Sequence, residues 1–182
     1  LGRWDAAVAA GLVERYGVTQ AGGTPYFLHT LREAAQRGGN DLSSIRSYSL
    51  GATGVTPELV RTVDGYGWGA GRTYGLTEHS TVTSNHPDMP FEKRAHTDGK
   101  LQPGTEVRIV DLDGSDLPRG RDGEILTRGP ELFMGYTDAD LTRASFVGDG
   151  WFRTGDVGRL DDEGHLTITD RLKDIIIRGG EN

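Results

Sequence analysis

The spacing of apolar residues changes partway along the chain, and this change constrains the fold more than any other feature. Up to about Glu78, helical spacing alternates with short strand-like runs, whereas from Thr105 the apolar residues recur at every second position. Alternating strands and helices are typical of a layered α/β region with a parallel sheet, and period-two runs between turns are typical of antiparallel strands. The sequence therefore predicts an α/β first half and a mostly antiparallel β second half.

Three helices are expected in the first half, each with a recognisable start or end. The first runs from Trp4 to Tyr16, where Gly17 provides a natural end. Two others are expected where a threonine cap precedes a proline, because proline is favoured at the first helical position. These starts are Thr24-Pro25 and Thr56-Pro57, and the residues expected on the inner face of the first helix are Val8, Leu12, Val13 and Tyr16.

Strands are expected between and after these helices. Three short ones are predicted in "GVTQAGG", "IRSYSLGATG" and "AGRTYG", and four alternating ones in "TEVRIVD", "GEILTRG", "DVGRL" and "HLTITD". Residues 79–104 hold several prolines and show little periodicity, so they are expected to be a connection between the two halves.

Composition excludes several classes of function. The net charge is −7, from 20 Lys and Arg against 27 Asp and Glu, and no basic run is long enough to follow a nucleic-acid backbone. The absence of cysteine excludes disulfides and thiolate metal sites. No apolar run approaches the roughly 18 residues of a membrane span, and no segment resembles a signal peptide. A cytoplasmic protein is expected.

Familiar nucleotide and metal motifs are also missing. The stretch "GYGWGAG" has alanine where the dinucleotide fingerprint needs its third glycine, and it precedes a strand instead of joining a strand to a helix. No GxxxxGK[ST] loop is present. The five histidines show no metal-ligand spacing, so they are expected to lie on the surface or in loops.

The segment "YGLTE" combines groups that suit a nucleotide. Tyr74 offers a flat ring for stacking, Gly75 allows close approach of the backbone, Thr77 offers a hydroxyl and Glu78 is a hard oxygen ligand for Mg²⁺. We expect the segment at the carboxyl ends of the parallel strands, where ligands of such sheets gather. Taken alone, the segment is better explained by a buried tyrosine, a turn glycine and a solvated glutamate.

A second set of candidate residues lies near the end of the chain. In "RTGD" the Asp156 carboxylate can accept hydrogen bonds from both hydroxyls of a ribose, and in "DRLKD" Arg171 supplies a forked donor from the end of a strand. The alternatives are a hairpin turn at residues 154–156 and a surface ion-pair patch at residues 170–174.

"YGLTE", "GWFRTGD" and "DRLKDIIIRGGEN" occur in the order typical of the adenylate-forming acyl-CoA synthetases, and the chain strongly resembles that family. "SLGATG" resembles the family's adenine loop, with Leu50 and Thr53 in place of its usual glycine and proline. The resemblance implies part of the large amino-terminal domain. It places a partial α/β subdomain at residues 1–100, a small distorted antiparallel β-barrel subdomain at 101–170, and a hinge with the start of the carboxy-terminal domain at 171–182.

The resemblance also implies a role for each site residue. Thr77 and Glu78 would be catalytic, with Thr77 holding phosphate and Glu78 binding Mg²⁺, and Asp156 and Arg171 would anchor the ribose. Lys173 would be the hinge, and the glycines at 179 and 180 would belong to the loop that meets the pantetheine arm. Gly51, Ala52 and Thr53 would line the adenine and acyl pocket, and Tyr74 would lie against the adenine ring. Gly75 and Leu76 would also bind the nucleotide.

The implied activity is the activation of a carboxylic acid with ATP and Mg²⁺, followed by transfer of the acyl group to coenzyme A. The family's phosphate loop and the lysine used during adenylation are expected outside these residues. The isolated chain is therefore expected to be inactive, and its uncovered surfaces are expected to favour self-association. An adenylation domain that loads a carrier protein, a luciferase-like enzyme and a non-catalytic nucleotide-binding fragment are the alternatives.

Overall fold

The computed structural model describes residues 3–51 and 55–172, which form two compact units. The first consists of residues 3–74 together with Asn85–His96, and the second of Gly75–Ser84 together with residues 97–172. The predicted site residues Ala52, Thr53 and Lys173, and the glycines at 179 and 180, lie outside the described residues.

The first unit is a layered α/β structure with a parallel sheet. Its strands β1 (Gln20–Gly23), β2 (Ser47–Leu50) and β3 (Gly69–Arg72) pair in the order β1-β2-β3, and both pairings are parallel. The helices are α1 (Ala6–Tyr16), α2 (Pro25–Gly38), α3 (Pro57–Asp64) and α4 (Phe91–His96). The alternation predicted from the sequence is therefore confirmed, and α4 is an element that the sequence did not predict.

The helix ends follow from local chemistry. The Asp5 carboxylate accepts hydrogen bonds from the amides of Ala7 and Val8, so α1 begins at Ala6, two residues later than predicted. Its end at Gly17 is in the left-handed conformation, with φ of 59°, as the sequence predicted. The Thr56 hydroxyl caps α3, whereas Thr24 occupies the cap position of α2 without a side-chain hydrogen bond.

The inner face of α1 differs from the prediction. Of the four apolar residues expected to point inward, only Val13 is buried, whereas Val8 is 58% exposed and Tyr16 is 66% exposed. Leu12 is also exposed. The helix packs on α2 through the smaller residue Ala10 beside Val13. Helical spacing identified an apolar stripe correctly, but it could not decide which side of the helix meets a neighbouring element.

The core of the first unit lies between the sheet and its helices. The ring of Tyr48 stacks on that of Trp68 with 6.0 Å between centroids, and both residues are buried. The remaining large core side chains include Leu28, Leu31, Ile45, Leu50, Val60 and Val63.

An ion pair fastens α4 to this unit. The Arg94 guanidinium donates to both oxygens of Asp64, at 2.8 and 2.7 Å, and also to the carbonyl oxygens of Ala70 and Met89. The amide of Ala70 donates to the same carboxylate at 2.9 Å. The Arg94 side chain is only 9% exposed, so its charge depends on Asp64 for compensation.

The second unit is an antiparallel sheet, curled as a half-barrel, with one short helix, α5 (Ala139–Ser145). Its strands follow the order β4-β5-β6-β11-β10-β8-β7, with β9 pairing to β10. They are β4 (Tyr74–Leu76), β5 (His79–Ser84), β6 (Gly99–Leu101), β7 (Glu106–Val110), β8 (Gly123–Arg128), β9 (Phe146–Val147), β10 (Trp151–Leu160) and β11 (His165–Arg171). The predicted fold class, an α/β region followed by antiparallel β structure, is confirmed. No helix in the described part of the chain is both long and apolar enough to cross a membrane.

Two expectations about residues 79–104 and the histidines are wrong. Residues 79–104 were expected to be a connection, but they contain β5, α4 and β6. The pattern of β5 was hidden because it buries the polar residues His79 and Thr83 alongside Val82. His79 and His165 were expected on the surface, yet their strands point them inward, leaving them 0% and 4% exposed.

Candidate functional site

The carboxyl edge of the parallel sheet brings Gly51 and Thr73 together. The amide of Gly51 donates to the carbonyl oxygen of Gly23 at 3.3 Å, and the amide of Thr73 donates to the carbonyl oxygen of Leu50 at 3.0 Å. The Thr73 methyl lies 3.7 Å from the position that a Cβ on Gly51 would occupy. Gly51 therefore lies at the ligand-binding edge that such sheets use, next to the loop expected to bind adenine.

The segment "YGLTE" does not lie at the end of a parallel strand. β3 ends at Arg72, and Thr73 separates it from the motif. The first three residues of the motif form β4 of the antiparallel sheet, and Thr77 and Glu78 are the two-residue turn before β5. Tyr74 belongs to the first unit, whereas Gly75 and Leu76 belong to the second together with the turn. The motif therefore follows the carboxyl edge of the sheet but takes its shape from a hairpin.

Gly75 is required by close approach within this hairpin. A Cβ at this position would run into the carbonyl oxygen of Ser80 on the neighbouring strand. Gly75→Ala is therefore expected to lower the free energy of unfolding by about 1–3 kcal/mol, the usual cost of overpacking. Urea unfolding measures this loss. In the control Gly11→Ala, the added methyl enters open space on α1, so its stability should stay equal or rise. Equal stability of the two variants would contradict the prediction.

The Glu78 carboxylate is held by a residue from a distant part of the chain. Glu78 is partly buried, and its Oε1 accepts a hydrogen bond from the hydroxyl of Tyr136 at 2.7 Å. The neighbouring Thr77 is exposed. A carboxylate and a hydroxyl oxygen are hard donors, as Mg²⁺ requires. No three His, Asp or Glu side chains within residues 3–51 and 55–172 form a ready metal-binding group.

Asp156 and Arg171 are brought together across two neighbouring strands. They are directly opposite each other in the β10–β11 pair, and Arg171 Nε lies 3.0 Å from Asp156 Oδ1. The Asp156 side chain is 7% exposed, whereas that of Arg171 is 71% exposed. The guanidinium fork thus extends into solvent beside a buried carboxylate. The Asp170 carboxylate accepts a hydrogen bond from the amide of Arg171 at 2.8 Å.

A bulge in β10 places Asp156. The pairing of β10 with β8 shifts register between Arg153 and Val157, and Gly155 within the shift has a φ of 72°. The Thr154 hydroxyl donates to the carbonyl of Ile125 and accepts from the amide of Asp156. The alternative of a hairpin turn at residues 154–156 is therefore wrong, because these residues lie inside one strand.

Sequence reasoning missed the residues that support Glu78. Tyr136 lies 58 positions away, in a segment without periodicity, so no local pattern indicated it. His79 is buried beside Glu78, and its Nδ1 lies 2.9 Å from the Thr127 hydroxyl. Burial lowers the pKa of His79 and outweighs the opposite effect of Glu131, so the imidazole is neutral at neutral pH. An isolated histidine beside the motif was the one available signal.

Comparison with known proteins identifies the class of protein. Residues 2–137 match the family model described as AMP-binding enzyme, so the chain belongs to this family. It is 37% identical over 98% of its length to the medium-chain fatty-acid–CoA ligase of Escherichia coli K12. The resemblance to adenylate-forming acyl-CoA synthetases is therefore confirmed.

Comparison with solved structures supports the same family. The chain is similar to the O-succinylbenzoate coenzyme A synthetase of Bacillus subtilis, solved with ATP and magnesium ion, with 31% identity, a TM-score of 0.83 and 99% of this chain covered. It is also similar to the amide bond synthetase McbA of Marinactinospora thermotolerans, with 33% identity, a TM-score of 0.85 and all of this chain covered. The chain spans 31% of the Escherichia coli ligase and 37% of each of these two structures.

Proposed function

We propose that this chain is part of a longer ATP-dependent carboxylic acid–CoA ligase, which we name the parent enzyme. The observation that carries the proposal is the pair formed by Asp156 and Arg171, with a buried carboxylate and an exposed guanidinium 3.0 Å apart. Such a pair suits the two hydroxyls of a ribose. Membership of the AMP-binding family and the similarity to acyl-CoA ligases support it.

Each side chain then has a role in binding ATP. Tyr74 is assigned to the adenine ring, and the other residues assigned to nucleotide binding are Gly51, Ala52, Thr53, Gly75 and Leu76. Asp156 and Arg171 bind the ribose, Thr77 binds phosphate and Glu78 holds Mg²⁺. Lys173 is the proposed hinge. Mg²⁺, when bound, would neutralise part of the negative charge on the phosphate oxygens.

The proposed reaction has two steps. A carboxylate oxygen of the acid attacks the α-phosphorus of ATP, and the bond to the bridging oxygen breaks to release pyrophosphate and leave an acyl-adenylate. The thiol sulfur of coenzyme A then attacks the acyl carbon, AMP leaves and the thiol proton is released. The chain's own contribution is to position ATP and stabilise charge on the phosphates, and no side chain forms a covalent bond.

Acid-dependent exchange of pyrophosphate into ATP tests the first step. The parent enzyme is expected to catalyse exchange with a subset of short, long, alicyclic and aromatic carboxylic acids, and this subset defines the acid class. A folded parent enzyme that binds ATP but exchanges with none of them would overturn the proposal.

The acceptor is tested separately. Similarity to the amide bond synthetase favours an amine as the second candidate acceptor, and a carrier-protein thiol is the third. Product analysis by mass spectrometry, with coenzyme A, a simple amine and a carrier protein supplied in turn, should give an acyl-CoA. Amide as the dominant product would replace the ligase proposal with an amide synthetase.

The 182-residue chain alone is proposed to lack turnover and to self-associate. The chain spans about a third of its relatives, and the face of α1 that carries Val8, Leu12 and Tyr16 is exposed. Exchange assays and sedimentation of the isolated chain test both statements. Turnover by the isolated chain would contradict the first statement, and a strictly monomeric chain would contradict the second.

A further inference from the structure

The turn that carries Glu78 is held by a segment from a distant part of the sequence. The amide of Phe133 donates to the carbonyl of Glu78 at 2.7 Å, and His79 forms an isolated antiparallel bridge with Leu132. The backbone on both sides of the Glu78 side chain is therefore tied to residues 132–133. The turn cannot move freely with respect to this segment.

The same segment also holds the Glu78 side chain. The hydroxyl of Tyr136 donates to Glu78 Oε1 at 2.7 Å. The Tyr136 ring packs edge-on against Phe133 with 4.8 Å between centroids, and Phe133 in turn contacts Phe146 and Phe152. The phenol is thus oriented by an aromatic cluster and is not a freely rotating surface group.

The backbone of Tyr136 is anchored to Thr142 in α5. Its amide donates to the Thr142 hydroxyl at 2.9 Å, and that hydroxyl lies 3.3 Å from the Tyr136 carbonyl oxygen. The phenolic hydroxyl is the donor and the Glu78 carboxylate is the acceptor of this 2.7 Å hydrogen bond.

We propose that Tyr136 is a positioning residue for the cation site of the adenylation reaction. Its hydroxyl fixes one oxygen of Glu78 and so sets the orientation in which the carboxylate meets Mg²⁺. This inference rests on the proposed function, because it needs Glu78 to be the cation ligand. Groups that orient a ligating carboxylate are costly to remove, and their loss lowers metal affinity by about 10- to 100-fold.

The test removes only the hydroxyl, by Tyr136→Phe in the parent enzyme, so the ring keeps its contact with Phe133. ATP binding is measured by calorimetry over a series of Mg²⁺ concentrations, without acid or coenzyme A. We expect the half-saturating Mg²⁺ concentration to rise about tenfold, with ATP affinity in the absence of Mg²⁺ unchanged. The control is Tyr26→Phe, at a tyrosine of the first unit that is 63% exposed, and it should change neither value.

Glu78→Gln separates failure of this inference from failure of the proposed function. If Glu78→Gln leaves the Mg²⁺ dependence unchanged, Glu78 is not the cation ligand and the proposed site is wrong. If Glu78→Gln weakens Mg²⁺ binding and Tyr136→Phe does not, Tyr136 alone is wrongly assigned. A change of equal size with and without Mg²⁺ would also overturn its positioning role.

The double variant gives a second measurement that does not depend on the size of either effect. If Tyr136 acts through Glu78, then Glu78→Gln with Tyr136→Phe should bind Mg²⁺ no more weakly than Glu78→Gln alone. Additive losses would mean that Tyr136 acts on the site by another route, and the inference would be wrong.

Discussion

Replacing Asp156 by alanine in the parent enzyme is expected to weaken ATP binding about 10- to 150-fold, because a hydrogen bond to a charged group contributes about 1.5–3 kcal/mol. The carboxylate is the buried member of its pair with Arg171. Calorimetry of ATP binding measures the loss, and pyrophosphate exchange should fall with it.

The fold should tolerate this change. Arg171 is 71% exposed, so its charge stays solvated when Asp156 is removed. Asp122→Ala is the matched control, because it removes the carboxylate of an exposed ion pair. In this pair Arg159 Nη1 lies 3.1 Å from Asp122 Oδ1. It should leave ATP affinity unchanged. Unaltered affinity in Asp156→Ala, with the control behaving as expected, would remove the ribose role from Asp156.

Asp64→Asn is expected to lower the free energy of unfolding by about 3 kcal/mol, the scale on which a buried charge loses its partner. Asparagine keeps an acceptor for the amide of Ala70 but leaves the Arg94 guanidinium, only 9% exposed, without a counter-charge. Urea unfolding measures the total loss. Faster hydrogen exchange of the Ala70 amide would locate that loss in the first unit.

The stability lost in Asp64→Asn should depend on pH in a defined direction. Burial alone would raise the pKa of Asp64, but the hydrogen bonds from Arg94 and Ala70 and the positive charge of Arg94 outweigh it, so the pKa is lowered. A carboxyl whose pKa is lower in the folded state stabilises the protein above its unfolded value, near 3.9. This stabilisation disappears as the pH falls through the folded value. The wild type and Asp64→Asn should therefore differ most above about pH 4 and converge in acid.

Two further variants test whether the lost counter-charge of Arg94 is what destabilises Asp64→Asn. Asp88→Asn removes a carboxylate that is 90% exposed, so it should change stability by less than about 1 kcal/mol. Adding Arg94→Met to Asp64→Asn should restore part of the lost stability, because the uncompensated charge is then gone. A double variant less stable than Asp64→Asn would show that the cost comes from lost packing instead.

Local signals in the sequence predicted most of the helices and the change of fold class. Proline at 25 and 57 and glycine at 17 are local devices, and the structure confirms each of these helix ends. Strands β5 and β6 were missed because neither shows the apolar alternation on which prediction depends. β5 buries the polar residues His79 and Thr83, and β6 has three residues, of which only Gly99 is buried. For α1 the apolar stripe was visible, but its orientation required knowledge of α2.

The same division holds for the candidate site. The motifs predicted Glu78, Asp156 and Arg171 as site residues from residue type and order alone, because each lies in a short segment whose chemistry is readable without a fold. Only the tertiary structure decided that Tyr136 meets Glu78 and that Arg94 meets Asp64, across 58 and 30 positions. Periodicity depends on neighbours in sequence, whereas such pairs depend on strand register and helix packing. The sequence thus determined which groups are available, and the fold decided which of them act together.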